Sequence, residues 1–290
     1  AYCARWSIRV FMGVSGCCFE QHQYSPRGIA SVCRADDKKA HSHGTAPPCL
    51  APNLHCMTDP ATYLPVLQSG RWFAHLPPDF AQPLLAMAQV RHLQTGEVLF
   101  LRGDAPCGLY AVVRGAVSIS GTGGRADEAR AALLIRLEPP HWFGEISVFD
   151  NSARTHDAQA TEPTTLLHIP HERLQAWLQA HPQHWHALAL LLTDKLRSAF
   201  VAMEELALLP APQRLARRLV MMAEGYGQWT AEGRSRRVLS ISQEQLSLML
   251  AISRQTTNQI LKDLESRHLV RVQRGELEIL DLAALRATCY

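Results

Sequence analysis

The chain has 290 residues, 47% of them hydrophobic and 19% charged, with a formal net charge of +3 at pH 7. This length gives room for two domains with separate cores. No apolar run reaches the roughly 18 residues of a membrane span, and no membrane partner is expected. The charge is unevenly spread, because residues 210–290 carry a balance of +4, residues 57–209 one of −4 and the first 56 residues the remaining +3. A basic C-terminal segment behind an acidic body favours a polyanionic partner for that segment.

The first 56 residues are polar, rich in Pro and His, and show no helix or strand period. Six of the eight cysteines lie there, without the C-x-x-C spacing of zinc or iron–sulfur sites and without a clear signal peptide. We therefore expect a cytoplasmic, reduced protein that holds no metal. Two interpretations of residues 1–56 stay open. We favour a stretch translated upstream of a physiological start at Met57, and the alternative is a disordered tail that binds metal through its His and Cys.

Residues 57–182 are predicted to form a first domain built mainly of strands. A helical segment at 80–90 comes first, and from Thr95 to Pro170 short runs alternate apolar and polar residues. Glycines at positions 96, 103, 108, 115 and 121 interrupt these runs at short intervals. Short strands at regular turn spacing are typical of a small antiparallel sandwich or barrel.

One long helix is predicted from about Gln183 to Leu209. Apolar residues recur along it at steps of three and four, at Trp185, Leu188, Leu192, Leu196, Ala199, Met203 and Leu206. This spacing predicts an apolar seam, which either packs on the helix's own barrel or pairs with a second chain as a coiled coil. Pro210 and Pro212 end the helix and mark a domain boundary.

Residues 210–290 are predicted to form a small basic domain. A helix over 213–227 is followed by a short strand at 236–242 and by a helix that Ser242 and Gln245 open as a capping box. A tight turn then leads to a helix capped by Ser253, and a hairpin follows around Arg274 and Gly275. This order of elements is that of a winged helix-turn-helix.

The helix after Ser253 groups several hydrogen-bonding side chains on one face. The second helix of such a unit lies in the DNA major groove, where Arg pairs with guanine and Gln or Asn with adenine. A helix whose only role is to face solvent would more often carry Glu–Lys pairs. The predicted DNA-binding residues are Ser253, Arg254, Gln255, Thr256, Asn258, Gln259 and Lys262.

Two stretches resemble those of a known family. ISQEQLSLMLAISRQTTNQILKDLE, residues 241–265, is similar to the DNA-binding signature of the Crp/Fnr superfamily of bacterial transcription regulators, and FGEISVFDNSARTHDAQA, residues 143–160, is similar to its phosphate-binding cassette. The resemblance covers about residues 63–290. It implies an α+β chain with an N-terminal β-roll or jelly-roll sensor domain, a dimerisation helix over 183–209 and a C-terminal winged helix-turn-helix over 210–290. Implied partners are double-stranded operator DNA, a second copy of the chain and, for an activator, RNA polymerase.

The resemblance also implies an effector site for a cyclic nucleotide, cAMP or cGMP. Gly144, Glu145, Ile146, Arg154 and Thr155 match the cassette, in which an Arg binds the cyclic phosphate and a Glu binds the ribose 2′-hydroxyl. The match is incomplete for the base, since Ala199 and Phe200 stand where the family's catabolite activator has hydroxyl residues. His156 and Asp157 are polar where the cassette is commonly apolar.

Several alternatives stay open for the sensor. It could respond to haem, with Cys107 or His75 offered as an axial ligand, to a redox signal or to another small molecule. It could also be a degenerate sensor, or the whole chain a cyclic-nucleotide-binding module that does not bind DNA. An enzyme is not expected, because no nucleophile–base arrangement or metal triad is found.

Overall fold

The computed structural model describes residues 59–123, 130–230 and 235–289. Both interpretations of residues 1–56, and the start at Met57, concern residues outside this part. A two-sheet β domain with short helices is followed by one long helix and by a smaller domain of helices and a three-stranded sheet. The predicted α+β class is confirmed. No helix in the described ranges is long and apolar enough to cross a membrane.

The first domain opens with helices α1 Leu64–Gln68, α2 Arg71–Ala74 and α3 Pro78–Met87. Its strands are β1 Gln89–Leu93, β2 Val98–Phe100, β3 Gly108–Arg114, β4 Val117–Gly123, β5 Arg130–Leu137, β6 Trp142–Phe143, β7 Asp157–Ala160 and β8 Thr164–Pro170. Helix α4 Ile146–Asp150 lies between β6 and β7, and α5 His171–Ala180 follows β8. The prediction of a helical segment over 80–90 is wrong at its end, because helix α3 stops at Met87 and strand β1 begins at Gln89. Ala88 is already extended, and Gln89 pairs with His168 of β8.

Two four-stranded antiparallel sheets make the roll, with strand orders β1-β8-β3-β6 and β2-β7-β4-β5. Strand β3 is buried on both faces. Its Leu109 and Ala111 pack towards the helices, whereas Tyr110 and Val112 pack towards the second sheet. Because side chains alternate along a strand, this double burial explains why β3 is apolar almost throughout.

The long helix α6 runs from Trp185 to Leu208, close to its predicted bounds. Its first half belongs to the core of the β domain, where Leu188 is 0% exposed and Trp185 packs against the same cluster. In its second half Glu205 is buried, whereas the apolar side chains are exposed, with Leu196 52% and Met203 66% accessible. The first two residues of the predicted seam, Trp185 and Leu188, thus pack on the chain's own β domain, which is the first of the two arrangements that the spacing left open.

The C-terminal domain contains α7 Ala211–Ala223, β9 Val238–Leu239, α8 Gln243–Leu250, α9 Arg254–Ser266, β10 Val270–Gln273, β11 Glu276–Ile279 and α10 Leu282–Ala287. The predicted capping box at Ser242 and Gln245 and the cap at Ser253 are confirmed. Helix α7 is shorter than predicted. It ends at Ala223 because Gly225, Tyr226 and Gly227 all have positive φ, at 60°, 53° and 69°, and such a backbone cannot continue a right-handed helix.

The segment after α7 attaches the C-terminal domain to the β domain. Gly70 and Trp229 form an isolated antiparallel bridge, and the Arg71 amide donates to the Gln228 carbonyl at 2.7 Å. Arg236 forms an ion pair with Glu138. The two domains therefore meet through main-chain and charged contacts as well as through the α6–α7 connection.

Candidate effector site and nucleic-acid interface

The turn from β6 into α4 forms one wall of the candidate effector site. Gly144 has φ +97°, and a Cβ at this position would lie 2.7 Å from the Gly108 carbonyl oxygen. Only glycine combines this backbone conformation with so close an approach. Glu145 and Ile146 follow directly, so the turn fixes where the predicted cassette residues begin.

Arg154 lies beneath this turn, and its side chain is directed inward. It is 4% exposed, and its guanidinium donates to the Gly144 carbonyl at 3.0 Å, the Gly108 carbonyl at 2.6 Å and the Cys107 Sγ at 3.0 Å. The guanidinium also stacks 4.4 Å above the centre of the Phe100 ring. Among the residues that the structure describes, the hydrogen-bond partners of this guanidinium are these two carbonyls and the thiol, none of them a carboxylate, and its buried Nε has no hydrogen-bond partner. A buried cation without a counter-ion favours an anionic ligand.

Glu145 is also buried, and its partner lies on the long helix. It is 2% exposed, and the Lys195 Nζ donates to its Oε2 at 2.6 Å. This ion pair connects the cassette to α6 across 50 positions of sequence. Sequence reasoning missed Lys195, because neither motif nor periodicity relates positions so far apart.

The other predicted cassette residues lie nearer to solvent. Thr155 is exposed, and its hydroxyl is 2.8 Å from Nδ1 of His156, while Ile146 is 40% exposed. Burial, with the nearby Arg102 charge, lowers the pKa of His156. Asp157 accepts a hydrogen bond from the Arg102 amide at 2.7 Å, so both polar departures from the family pattern have partners in the folded chain.

The two residues offered as haem ligands make contacts of their own. Cys107 accepts hydrogen bonds from the Tyr110 hydroxyl at 3.1 Å and from Arg154, and Nδ1 of His75 lies 2.6 Å from the Arg71 carbonyl. Burial raises the pKa of the Tyr110 phenol, which keeps it a donor to this thiol. Within the described ranges no cluster of His, Cys, Asp and Glu could hold a metal ion.

Helix α9 presents the predicted DNA-binding residues. The side facing the domain core carries Thr257, Ile260, Leu261 and Leu264, all buried. The opposite side exposes Arg254, Gln255, Thr256, Gln259 and Lys262, while Asn258 is half-buried. The Ser253 Oγ accepts from the Thr256 amide at 3.0 Å and lies 2.8 Å from the Thr256 hydroxyl, so these two residues organise the first turn of the helix.

A groove of about 420 Å³ separates the N-terminal ends of α8 and α9 from the β10–β11 hairpin. Asn258, Gln273, Arg274 and Gly275 line it, together with Arg254, whose guanidinium forms an ion pair with Glu244 of α8. Glu244 and Arg274 were not among the predicted site residues. Glu244 stands between the two capping-box residues Ser242 and Gln245, and no local pattern relates it to Arg254.

Comparisons with known proteins agree with this two-part architecture. The cyclic nucleotide-binding domain family matches residues 90–181, and the Crp-like helix-turn-helix domain family matches residues 213–288. The "CRP-like cAMP-activated global transcriptional regulator" of Mycobacterium tuberculosis is 28% identical over 217 residues, which cover 74% of this chain and 95% of the relative.

Two further comparisons extend this similarity. The "Cyclic AMP receptor protein" of Thermus thermophilus is 29% identical over 75% of this chain and 96% of its own length. The solved structure of FixK2 from Bradyrhizobium japonicum shares the fold, with a TM-score of 0.60, 17% identity and coverage of 70% of this chain and 98% of that chain.

Proposed function

From the premise that this chain belongs to the Crp/Fnr family of transcription regulators, we propose that it is a homodimer whose binding to operator DNA is controlled by an anionic, sugar-bearing effector. The observation that carries the proposal is the position of α9. Its amide and guanidinium side chains are exposed on one face beside the β10–β11 hairpin and its turn residue Arg274, while its apolar face packs in the domain core. In this assignment residues 57–182 sense the effector, 183–209 dimerise and 210–290 bind DNA.

Base reading is assigned to Arg254, Gln255 and Gln259. Their position in the first turns of the second helix is the one that reaches base edges in the major groove. Lys262 lies one turn further along the same exposed face, where phosphate contact is the natural role. Ser253 and Thr256 hold the first turn, and half-buried Asn258 supports the groove beside the hairpin. RNA polymerase would be a further partner if the protein activates transcription.

Dimerisation is assigned to the second half of α6. Leu196, Met203 and Leu206 are between 52% and 66% exposed along this half. An apolar surface of this kind is seldom left to water, and pairing with the same surface of a second chain would cover it. Leu192 and Ala199 complete this reduced seam.

A cyclic nucleotide is the simplest effector. Arg154 supplies a buried cation for its phosphate, and Glu145 an acceptor for its sugar hydroxyl. The M. tuberculosis relative is described as cAMP-activated. Because Glu145 is paired with Lys195, a sugar hydroxyl must share or displace this ion pair, which transmits binding to α6. Phe200, 60% exposed on the same helix, offers a stacking surface for the base but no hydrogen bond.

The test is the DNA affinity of the full chain with and without cAMP or cGMP, measured on duplexes selected from a random pool. We expect one nucleotide to change the affinity of the wild type, and Arg154→Ala to abolish this change. Arg114→Ala, which removes an exposed arginine at the end of β3, is the matched control and should respond like the wild type. A nucleotide effect that survives Arg154→Ala would refute the phosphate assignment. Absence of any effect in the wild type would leave the cassette serving a non-nucleotide signal.

A further inference from the structure

We infer that Glu244 is a positioning residue that aims Arg254 at a base and keeps it from the phosphates. This inference rests on the proposed DNA-binding function and deepens it. Glu244 lies on α8, outside the helix that reads DNA in the proposal, and its carboxylate forms an ion pair with the Arg254 guanidinium across the turn. Both side chains line the groove between α8, α9 and the hairpin.

Glu244 lies in the first turn of α8, where a carboxylate is favourable to the helix N-terminus, but its side chain also lines the groove. Among the described residues that line the groove it is the one acidic side chain, beside Arg254 and Arg274. A carboxylate facing DNA repels the phosphates and lowers the affinity for every sequence. The pair also contributes little to folding stability, because its two side chains are 62% and 60% exposed and exposed ion pairs are weak. The helix N-terminus accounts for a carboxylate at this position, but neither general DNA affinity nor the stability of the ion pair accounts for its contact with Arg254.

The geometry of the guanidinium supplies an explanation. Arginine has five N–H donors in a planar fork, and bidentate pairing with guanine O6 and N7 uses two of them. A carboxylate that holds another donor fixes the plane of the fork without occupying the edge that meets the base. Without that contact, a long exposed arginine at the first position of α9 is free to turn to a neighbouring phosphate. Glu244 thus favours a sequence-specific contact over a non-specific one.

The experiment compares wild type, Glu244→Ala and Glu244→Gln as full chains. Each is titrated with the duplex selected by the wild type, with duplexes substituted at one base pair at a time, and with non-specific duplex, over a range of salt concentrations. For Glu244→Ala we expect about a tenfold loss of discrimination at the base pair that Arg254 reads. Affinity for non-specific duplex should rise, and the salt dependence should steepen by about one ion per half-site. Glu244→Gln keeps an acceptor for the guanidinium and should retain part of the discrimination.

Two controls separate positioning from general electrostatics. Asp263→Ala removes the same charge from an exposed arginine–carboxylate pair on α9, with Arg267, about 110° round the helix from the centre of the reading face. It should change the salt dependence slightly and leave base discrimination unchanged. In an Arg254→Ala background, Glu244→Ala should no longer alter discrimination, since the residue acts through Arg254.

The outcomes are distinct. The inference is overturned if Glu244→Ala strengthens binding to all duplexes equally, which would make Glu244 only a repulsive charge. It is also overturned if Glu244→Ala still alters discrimination without Arg254, which would mean that the carboxylate contacts a base itself. If the wild type selects no sequence from the random pool, the proposed DNA-reading function fails first, and that result is seen before any variant is made.

Discussion

Arg154 in the β domain is assigned to an anionic effector and Arg254 in the winged helix to a DNA base, and the two arginines differ sharply in burial. Arg154 is 4% exposed and holds two backbone carbonyls and a thiol. The Arg254 side chain is 62% exposed and contacts one carboxylate. The buried arginine is part of the architecture that would bind its ligand, whereas the exposed one can be altered without disturbing its domain. Substitution of Arg154 should therefore change the folding stability as well as effector binding, whereas substitution of Arg254 should change DNA binding alone.

The largest effect is expected from substitutions in α6, the helix between the β domain and the winged helix, and it is a loss of dimerisation. Replacing Leu192 and Leu196 together by Glu removes two apolar side chains from the proposed dimer contact. The two chains of the dimer together lose four leucines, and each is at most about half exposed in the single chain. Since burying a fully exposed leucine contributes about 1.5–3 kcal/mol, dimerisation should weaken by about 3–6 kcal/mol. Sedimentation equilibrium of the full chain measures this loss. Leu190→Glu, on the opposite face of α6 and 49% exposed, should leave the dimer intact, and a double variant that stays dimeric would remove the seam from the interface.

Arg154→Ala should show the coupling of sensing to stability. It leaves the Gly144 and Gly108 carbonyls without their donors inside the protein, at about 1–3 kcal/mol for each buried group left unsatisfied. We expect the free energy of unfolding to fall by about 2–5 kcal/mol in denaturant titrations. Arg154→Lys keeps the positive charge but loses the planar guanidinium, and it should recover part of the lost free energy of unfolding. Unchanged stability in Arg154→Ala would contradict the assignment of Arg154 to the architecture.

Arg254→Ala should give the opposite pattern. Stability should change by less than about 0.5 kcal/mol, because the side chain is exposed and its ion pair is weak. Discrimination at one base pair should fall by about 1–3 kcal/mol if the arginine reads guanine. Binding assays with singly substituted duplexes measure this. Equal weakening on all duplexes would instead assign Arg254 to a phosphate.

A smaller effect concerns pH and the interior of the β domain. Burial lowers the pKa of His141 to about 3, while an unfolded histidine titrates near 6.5. Below pH 7 the unfolded chain therefore binds the extra proton, and stability falls as the pH is lowered, by under about 1 kcal/mol between pH 7 and pH 6.

His141→Asn keeps a donor for the Glu138 carbonyl, which Nδ1 contacts at 2.8 Å, and should flatten this dependence in unfolding titrations at several pH values. His268→Asn changes an exposed histidine of the winged helix. It is the matched control and should leave the pH dependence of stability as it is in the wild type. Equal pH dependence in wild type and His141→Asn would show that another group is responsible.

Local signals in the sequence determined much of this protein. The capping box of Ser242 and Gln245, the cap at Ser253 and the turn at Gly275 involve atoms within a few residues of one another, so their residue types are sufficient to predict them. The period of α6 and the alternation of the strands are equally local. These features, with the two family-like stretches, were enough to predict the α+β architecture and to choose the candidate residues of both regions.

Tertiary structure alone decided how those residues are used. Strand β1 exists because it pairs with β8, more than 70 positions away, and this overrides the helical reading of Gln89 and Val90. Lys195 reaches Glu145 across 50 positions, and Arg154 reaches Gly108 across 46. The period of α6 could not show that Leu188 packs inside its own domain while Leu196 stays free, because burial depends on which surface folds against each turn of the helix. Contacts between distant segments follow from the packing of the whole chain, and no local pattern encodes them.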